Sequence, residues 1–327
     1  MKYQMLIEFI AVVIATFLLS VVAERFLIPV LKSRKVGQKI LDIGPRWHKS
    51  KEGTPTMGGI CFILAMVVVS AIALVINGED ALPFVFAMGL GLANALIGLV
   101  DDYTKLIKKQ NEGLLAWQKF LLQVIAAALY LLAMTLWGGM TTELAIPFTD
   151  LRIDLGIFYY VVAMFFITGM VNSTNLTDGI DGLASTVSMV VGGFFAVCAF
   201  MMDMRSLSLI SALVIGGTLG FLVYNFHPAR VFMGDTGSLF LGGVLVGAAF
   251  ALGNPLILLV CGFMFVLETI SVILQVSVFK LSHRKKRLFR MAPIHHHFEQ
   301  CGWGEVKIVA VFGIATLVLC AVSLLGI

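Results

Sequence analysis

Ten long apolar runs alternate with short polar segments along the 327-residue chain, near 5–30, 57–77, 82–100, 117–137, 157–174, 183–202, 206–224, 237–252, 255–280 and 306–326. A hydrocarbon core about 30 Å thick takes roughly 20 helical residues to cross, so each run predicts a membrane-spanning helix. The run at 237–252, with Gly242, Gly243 and Gly247, is short and is expected to pack among other helices. Between the fourth and fifth runs the period changes. Leu144, Ile146 and Phe148 fall at alternate positions, and Leu151, Ile153 and Leu155 do so again after a Thr149-Asp150 turn, which predicts a small β-hairpin. The ninth run continues into His283-Arg284-Lys285-Lys286-Arg287 with Pro293 as its first firm stop, so this helix is expected to project beyond the bilayer or to break at its surface. No repeat, low-complexity tract or soluble module interrupts the pattern, which predicts one polytopic domain over 1–327.

Composition makes the setting definite. The chain is 59% hydrophobic and 13% charged, with a mean hydropathy of +0.99, far more apolar surface than a soluble core buries. The expected class is an all-α integral membrane protein with ten transmembrane helices. The first run has no small-residue cleavage signal at a signal-peptide distance and is expected to remain as a helix. Of five cysteines, only Cys301 falls outside the apolar runs, so no disulfide framework is available.

Basic residues orient the chain, because Lys and Arg concentrate in loops kept in the cytoplasm. Segment 31–56 holds Lys32, Arg34, Lys35, Lys39, Arg46, Lys49 and Lys51; segments 101–119, 225–236 and 280–305 hold most of the others. The opposite face has only Lys2, Arg152 and Arg205. Both termini and the hairpin are therefore expected outside the cytoplasm and the basic loops within it. The net charge of +4 reflects this topology and not nucleic-acid binding.

The polar clusters all fall in segments on the cytoplasmic side. Asp101-Asp102 closes the third run; a carboxylate pair suits a metal, a general base or a phosphate relay, although a solvated helix end is the plainer reading. Asn175-Leu176-Thr177-Asp178-Gly179-Ile180-Asp181-Gly182 sets two carboxylates among turn-forming glycines, and Asp181 could also cap a helix. Phe232-Met233-Gly234-Asp235-Thr236-Gly237-Ser238 is the composition expected where Mg²⁺ meets a pyrophosphate, though it is also a common turn. Asn225 precedes it and could hydrogen-bond a base or an amide. His295-His296-His297 invites a zinc reading, but adjacent side chains rarely meet at one ion, so donors to phosphate or sugar oxygens fit better. Lys51 and Thr56 stand at the start of a helix, where backbone N–H groups favour anions.

Taken together, from Gly53-Thr54-Pro55-Thr56-Met57-Gly58-Gly59 to Pro293-Ile294-His295-His296-His297-Phe298-Glu299, these segments resemble the phospho-N-acetylmuramoyl-pentapeptide transferases, within the polyprenyl-phosphate N-acetylhexosamine-1-phosphate transferases, over essentially the whole chain. The resemblance implies a homodimer in the bacterial inner membrane. Its cytoplasmic cleft joins UDP-N-acetylmuramoyl-pentapeptide to undecaprenyl phosphate, releasing UMP and forming lipid I, the first lipid-linked peptidoglycan precursor. The triple histidine favours this branch over the N-acetylglucosamine-phosphate transferases. By the same resemblance Asp235 binds Mg²⁺ and is catalytic with Asp101, Asp102 and His295, the aspartate pair lying near the lipid phosphate. Asn175, Asp178 and Asp181 form the nucleotide side, and Lys51, Thr56, Asn225, Phe232, Gly234, Ser238, Gln275, His296 and His297 complete the cleft. Lys105 and Lys119 match cations after the aspartate pair, across a segment, 107–113, that varies.

Two other classes compete. A secondary transporter also uses carboxylates and glycine-broken helices, but near the membrane midplane, whereas here the acids sit at helix ends and only Glu8, Glu24 and Glu268 lie within or near the span interiors. A structural scaffold has no use for so many converging polar groups.

Overall fold

The computed structural model describes residues 2–33, 51–77, 81–108 and 113–327. Arg34, Lys35, Lys39, Arg46, Lys49 and Lys109, which contribute to the expected orientation, lie outside the described residues.

The fold is a helical assembly: α1 (Lys2–Ser33), α2 (Gly59–Asn77), α3 (Leu82–Lys108), α4 (Ala116–Trp137), α5 (Phe158–Thr177), α6 (Leu183–Met202), α7 (Arg205–Asn225), α8 (Gly234–Ala251), α9 (Leu258–Cys261), α10 (Phe263–Leu281), α11 (Ile294–Gln300) and α12 (Glu305–Ser323). Among the described residues, eight helices are long and apolar enough to cross a membrane, namely α1, α3, α4, α6, α7, α8, α10 and α12. The chain is a multi-pass membrane protein.

Burial along α1 shows the solvent to be lipid. Its inward positions Thr16, Ser20 and Glu24 recur every four residues and are fully buried, while Ile10, Ile14, Leu18, Val22 and Phe26 face outward. That inverts the pattern of a water-soluble helix: hydrocarbon accepts Ile and Leu on the outside, and the small positions Thr16 and Ser20 pack closely on Gly216 and Gly220 of α7.

Helix α8 is the centre of the bundle, with every side chain from Thr236 to Phe250 buried. Its main partner is α3, and close backbone approach joins them. A Cβ on Gly243 would lie 2.8 Å from Gly91 Cα, and one on Gly98 would overlap the carbonyl oxygen of Asp235. Small residues thus substitute for the hydrophobic driving force that lipid cannot supply between helices. They also fix the height of Asp235 against α3.

Two strands, β1 (Glu143–Ala145) and β2 (Arg152–Asp154), pair antiparallel with Leu144 opposite Ile153. The ladder is shorter than the alternating residues suggest. The reversal begins earlier than Thr149-Asp150, where Thr149 N–H bonds Ile146 O at 3.3 Å and Phe148 takes φ +66°.

Several boundaries depart from the hydropathy pattern. Helix α3 runs on through Asp101 and Asp102 to Lys108, because Asp101 and Lys105 pair across one turn at 2.6 Å and keep the helix intact past its apolar part. Asn175 lies inside α5, Asp235 in the first turn of α8, and His295–His297 in α11, so these are helical residues and not loop residues. The ninth run breaks at Gly262 and ends at Leu281; His283 and Arg284 then adopt φ +51° and +66°, so the basic run does not extend the helix.

Candidate active site

The first turn of α8 gathers the acidic residues. Gly234, at φ +76°, turns the chain so that Asp235 and Thr236 present backbone N–H groups to α3. Asp102 accepts them, from Asp235 at 3.2 Å and Thr236 at 3.0 Å, and accepts the Thr236 hydroxyl at 2.7 Å. One helix thus supplies the N-terminal cap of another. Asp101 accepts Leu114 N–H at 2.7 Å and meets Lys105 Nζ at 2.6 Å.

Asp235 holds Asn175 Nδ2 at 3.0 Å, Lys105 Nζ at 2.9 Å and Lys119 Nζ at 3.0 Å. Lys119 also donates to Asn175 Oδ1 at 3.1 Å, and Asn175 Nδ2 to Ser238 Oγ at 2.8 Å. The side chain of Asp235 is 20% exposed against 4% for Asp101 and Asp102, so it is the open carboxylate of the three. Oxygens of all three lie within 4.8 Å of one another. Three hard oxygen donors, one with an open edge, fit a magnesium ion that takes one or two carboxylates and completes its shell with phosphate oxygens and water.

A second cluster lies on the other side of the 178–182 turn. Lys51 Nζ bridges Asp181 Oδ1 at 2.7 Å and Glu305 Oε2 at 2.6 Å. Asp181 Oδ2 takes His227 Nδ1 at 2.9 Å and Ala229 N–H at 3.0 Å, while Asp181 N–H donates to Glu305 at 3.0 Å. Asp181, His227 and Glu305 also lie at metal-ligating separations, with the Lys51 ammonium bridging the two acids.

Asp178 stands between the clusters. Burial pushes its carboxyl well above the ordinary range, and the negative charges of Asp235, Asp102 and Asp181 push it the same way.

The remaining expected residues divide clearly. Thr56 reaches the same turn: a Cβ on Gly234 would lie 3.2 Å from its Oγ1 and 2.7 Å from Asp102 Oδ2. Phe232 zips this turn to the first motif, its N–H bonding Pro55 O at 2.8 Å and its carbonyl accepting Gly58 N–H at 2.9 Å. Asn225 is buried and committed to Gly182 N–H and Val231 O. Gln275 is committed to the backbone of Leu288 and Phe289. Of the histidines, His295 is completely enclosed beside Glu268, His296 pairs with Glu299 at 2.6 Å, and His297 accepts Arg290 N–H at 3.1 Å. Sequence reasoning missed His227 and Glu305 as site neighbours. His227 falls within the Tyr224–Pro228 segment that contains Asn225, and Glu305 opens an apolar run, so an acid at the edge of a span was the available signal.

These groups come from the C-terminal ends of α3, α5 and α7 and the N-terminal ends of α4, α6, α8 and α12. In a bundle whose helices alternate in direction, those ends share one face, where two ammonium groups and an open carboxylate suit two anionic reactants.

Residues 84–253 match the sequence profile described as "Glycosyl transferase family 4". Residues 51–63 match "Phospho-N-acetylmuramoyl-pentapeptide-transferase signature 1", which contains Lys51 and Thr56. The chain is 44% identical over 316 residues to a protein of Clostridium acetobutylicum, covering 96% of this chain and 97% of that one. It is 42% identical over 314 residues to one of Clostridium novyi (96% and 95%), and 41% over 307 residues to one of Staphylococcus carnosus (93% and 95%). All three relatives are named phospho-N-acetylmuramoyl-pentapeptide-transferase. With likeness of that strength running nearly end to end, the chain belongs to the phospho-N-acetylmuramoyl-pentapeptide-transferase family.

Proposed function

We propose that this chain transfers phospho-N-acetylmuramoyl-pentapeptide from its UDP conjugate to undecaprenyl phosphate, giving lipid I and UMP. The observation that carries the reading is the meeting of Asp235, Lys105, Lys119 and Asn175 at the ends of four helices. One substrate is a soluble nucleotide and the other a phosphate on a hydrocarbon tail, so the reaction belongs at a membrane surface. Such a site is built from helix ends.

In the proposed reaction, Lys105 and Lys119 receive the phosphates. Asn175 and Ser238 hold Asp235 in register, and Asp101 and Asp102 fix Lys105 and the first turn of α8. Phosphoryl transfer needs positioning and charge neutralisation above all. A lipid phosphate oxygen attacks the sugar-linked phosphorus, and UMP leaves with the electrons of the broken P–O bond. A phosphate monoester loses its second proton near pH 6, so the nucleophile needs little help from a base at neutral pH. Magnesium on Asp235, Asp101 or Asp102 being a fit for the donor set, it would supply further charge neutralisation between two reactants that repel one another. Lys51, Asp181, Asn225 and Phe232 form the nucleotide side.

The same reading makes the chain one domain of ten spans, counting α2, α5 and the joined α9–α10. It faces its site to the cytoplasm of a bacterial cell, sets both termini and the hairpin outside, and works as a homodimer. A transporter is not favoured, because the acids of the site sit at helix ends.

The test is purified protein in detergent with UDP-N-acetylmuramoyl-pentapeptide, undecaprenyl phosphate and Mg²⁺, with UMP release as the readout. Release dependent on both substrates is expected; no release from folded protein sinks the reading, and equal use of UDP-N-acetylglucosamine moves the chain to the sister branch.

A further inference from the structure

Two buried ionisable groups take no part in the reaction just described. Glu268, on α10, and His295, the second residue of α11, have no exposed surface. Glu268 Oε2 stands 3.1 Å from His295 Nδ1 and 3.4 Å from the His295 backbone nitrogen. An acid and an imidazole so fully buried would each be unfavourable alone, and they persist as a pair. Beyond the ring lies the backbone of the acidic turn: a Cβ at Gly179 would overlap His295 Nε2 and fall 2.5 Å from Cε1. The imidazole is therefore gripped between a membrane-helix carboxylate and the residue that follows Asp178.

Enclosed in this way, the His295 ring has no exposed surface. Its influence passes through what it touches, and what it touches is the turn that sets Asp178 toward the Asp235 cluster and Asp181 against Lys51. The ring's two contacts are of unequal kind. Glu268 faces the ring's Nδ1 edge at ion-pair distance without hydrogen-bond alignment, and the Gly179 backbone closes against Nε2.

We infer that Glu268 is a positioning residue for the phosphosugar transfer, setting the His295 ring and through it the height of the Asp178–Asp181 turn. The inference rests on the proposed reaction. Outer partners of functional groups typically change activity by about 10–100-fold when altered, without contacting substrate.

The experiment uses full-length protein in detergent, wild type first. Absence of UMP release from wild type would be a failure of the proposed function, not of this inference. With an active wild type, Glu268→Gln should lower kcat about 10–100-fold, with KM for either substrate changed less than about threefold and the thermal midpoint retained; Glu268→Asp should recover part of the loss. Gly179→Ala, which pushes on Nε2 from the opposite side at an exposed position, should lower kcat in the same manner. The double variant Glu268→Gln/His295→Gln should be no slower than His295→Gln alone, because groups acting as one unit are not additive. Wild-type kcat in folded Glu268→Gln, or losses that multiply in the double variant, would overturn the inference. If Glu268→Gln does not fold, Gly179→Ala decides, and wild-type kcat there overturns it.

Discussion

Asp102 caps a helix to which it does not belong, its Oδ2 accepting both the backbone N–H and the hydroxyl of Thr236. With Oδ1 holding Asp235 N–H, both carboxylate oxygens bond the first turn of α8, and the residue is 4% exposed. Asp102, expected beside the reacting phosphate, therefore also anchors the helix that carries Asp235.

Replacing Asp102 by Asn substitutes an amide NH₂ for one of those acceptors and sets it against a backbone donor. A buried donor left without a partner costs about 1–3 kcal/mol, so Asp102→Asn should lower the thermal midpoint in detergent and, by releasing the first turn of α8, reduce UMP release. A variant as stable as wild type would show that α8 is capped without Asp102.

Asp235→Asn should behave differently, because its side chain is the open one of the three and lies at the meeting point of both lysines. Turnover should vanish while the thermal midpoint stays near or above that of wild type, since the cap from Asp102 uses only the backbone of residue 235. Excess chelator should abolish wild-type turnover, with Mg²⁺ or Mn²⁺ restoring it. Activity in chelator, or in the variant, would remove the metal from the reaction.

Orientation is tested at Cys301, the exposed thiol, which sits next to α11 on the side of the bundle that carries the acidic centre. In intact cells a membrane-impermeant thiol reagent should leave it unmodified until the membrane is opened. Labelling before that would place the site, and the basic loops with it, on the outer face.

Much of this was legible in the chain, and for identifiable reasons. A 20-residue apolar run has few alternatives to a helix, so the eight long apolar helices of the described residues and the short strand pair were legible from period alone. The motifs carrying Asp235, Lys51 and the 175–182 turn were visible because glycine, acid and amide crowd together where backbone must meet a ligand. Two things were hidden. Hydropathy ends a helix where apolar residues end, so Asp101, Asp102 and Asn175 read as loop residues although ion pairs and amide bonds continue their helices. Composition also cannot show what a polar side chain bonds: Asn225 braces the backbone of Gly182 and Val231, and Gln275 that of Leu288 and Phe289, contacts that no motif announces.

The pH dependence of stability should carry the signature of Asp178. Its folded carboxyl is raised by burial and by the acids around it, whereas in the unfolded chain it titrates near pH 4. Between those two values the folded state holds a proton that the unfolded state has lost, so raising the pH draws the equilibrium toward unfolding. The group's contribution is most favourable below its unfolded value and declines as pH rises toward its folded one. Asp178→Asn keeps a side chain of the same shape that never ionises, so it should match wild type near pH 4 and become progressively more stable than wild type as pH rises. The measurement is the thermal midpoint of both proteins across that range in chelator, where no added cation offsets the repulsion from Asp235, Asp102 and Asp181. A gap between the two that stays constant with pH would mean that Asp178 ionises in the fold as readily as it does in water, and that the turn tolerates its charge.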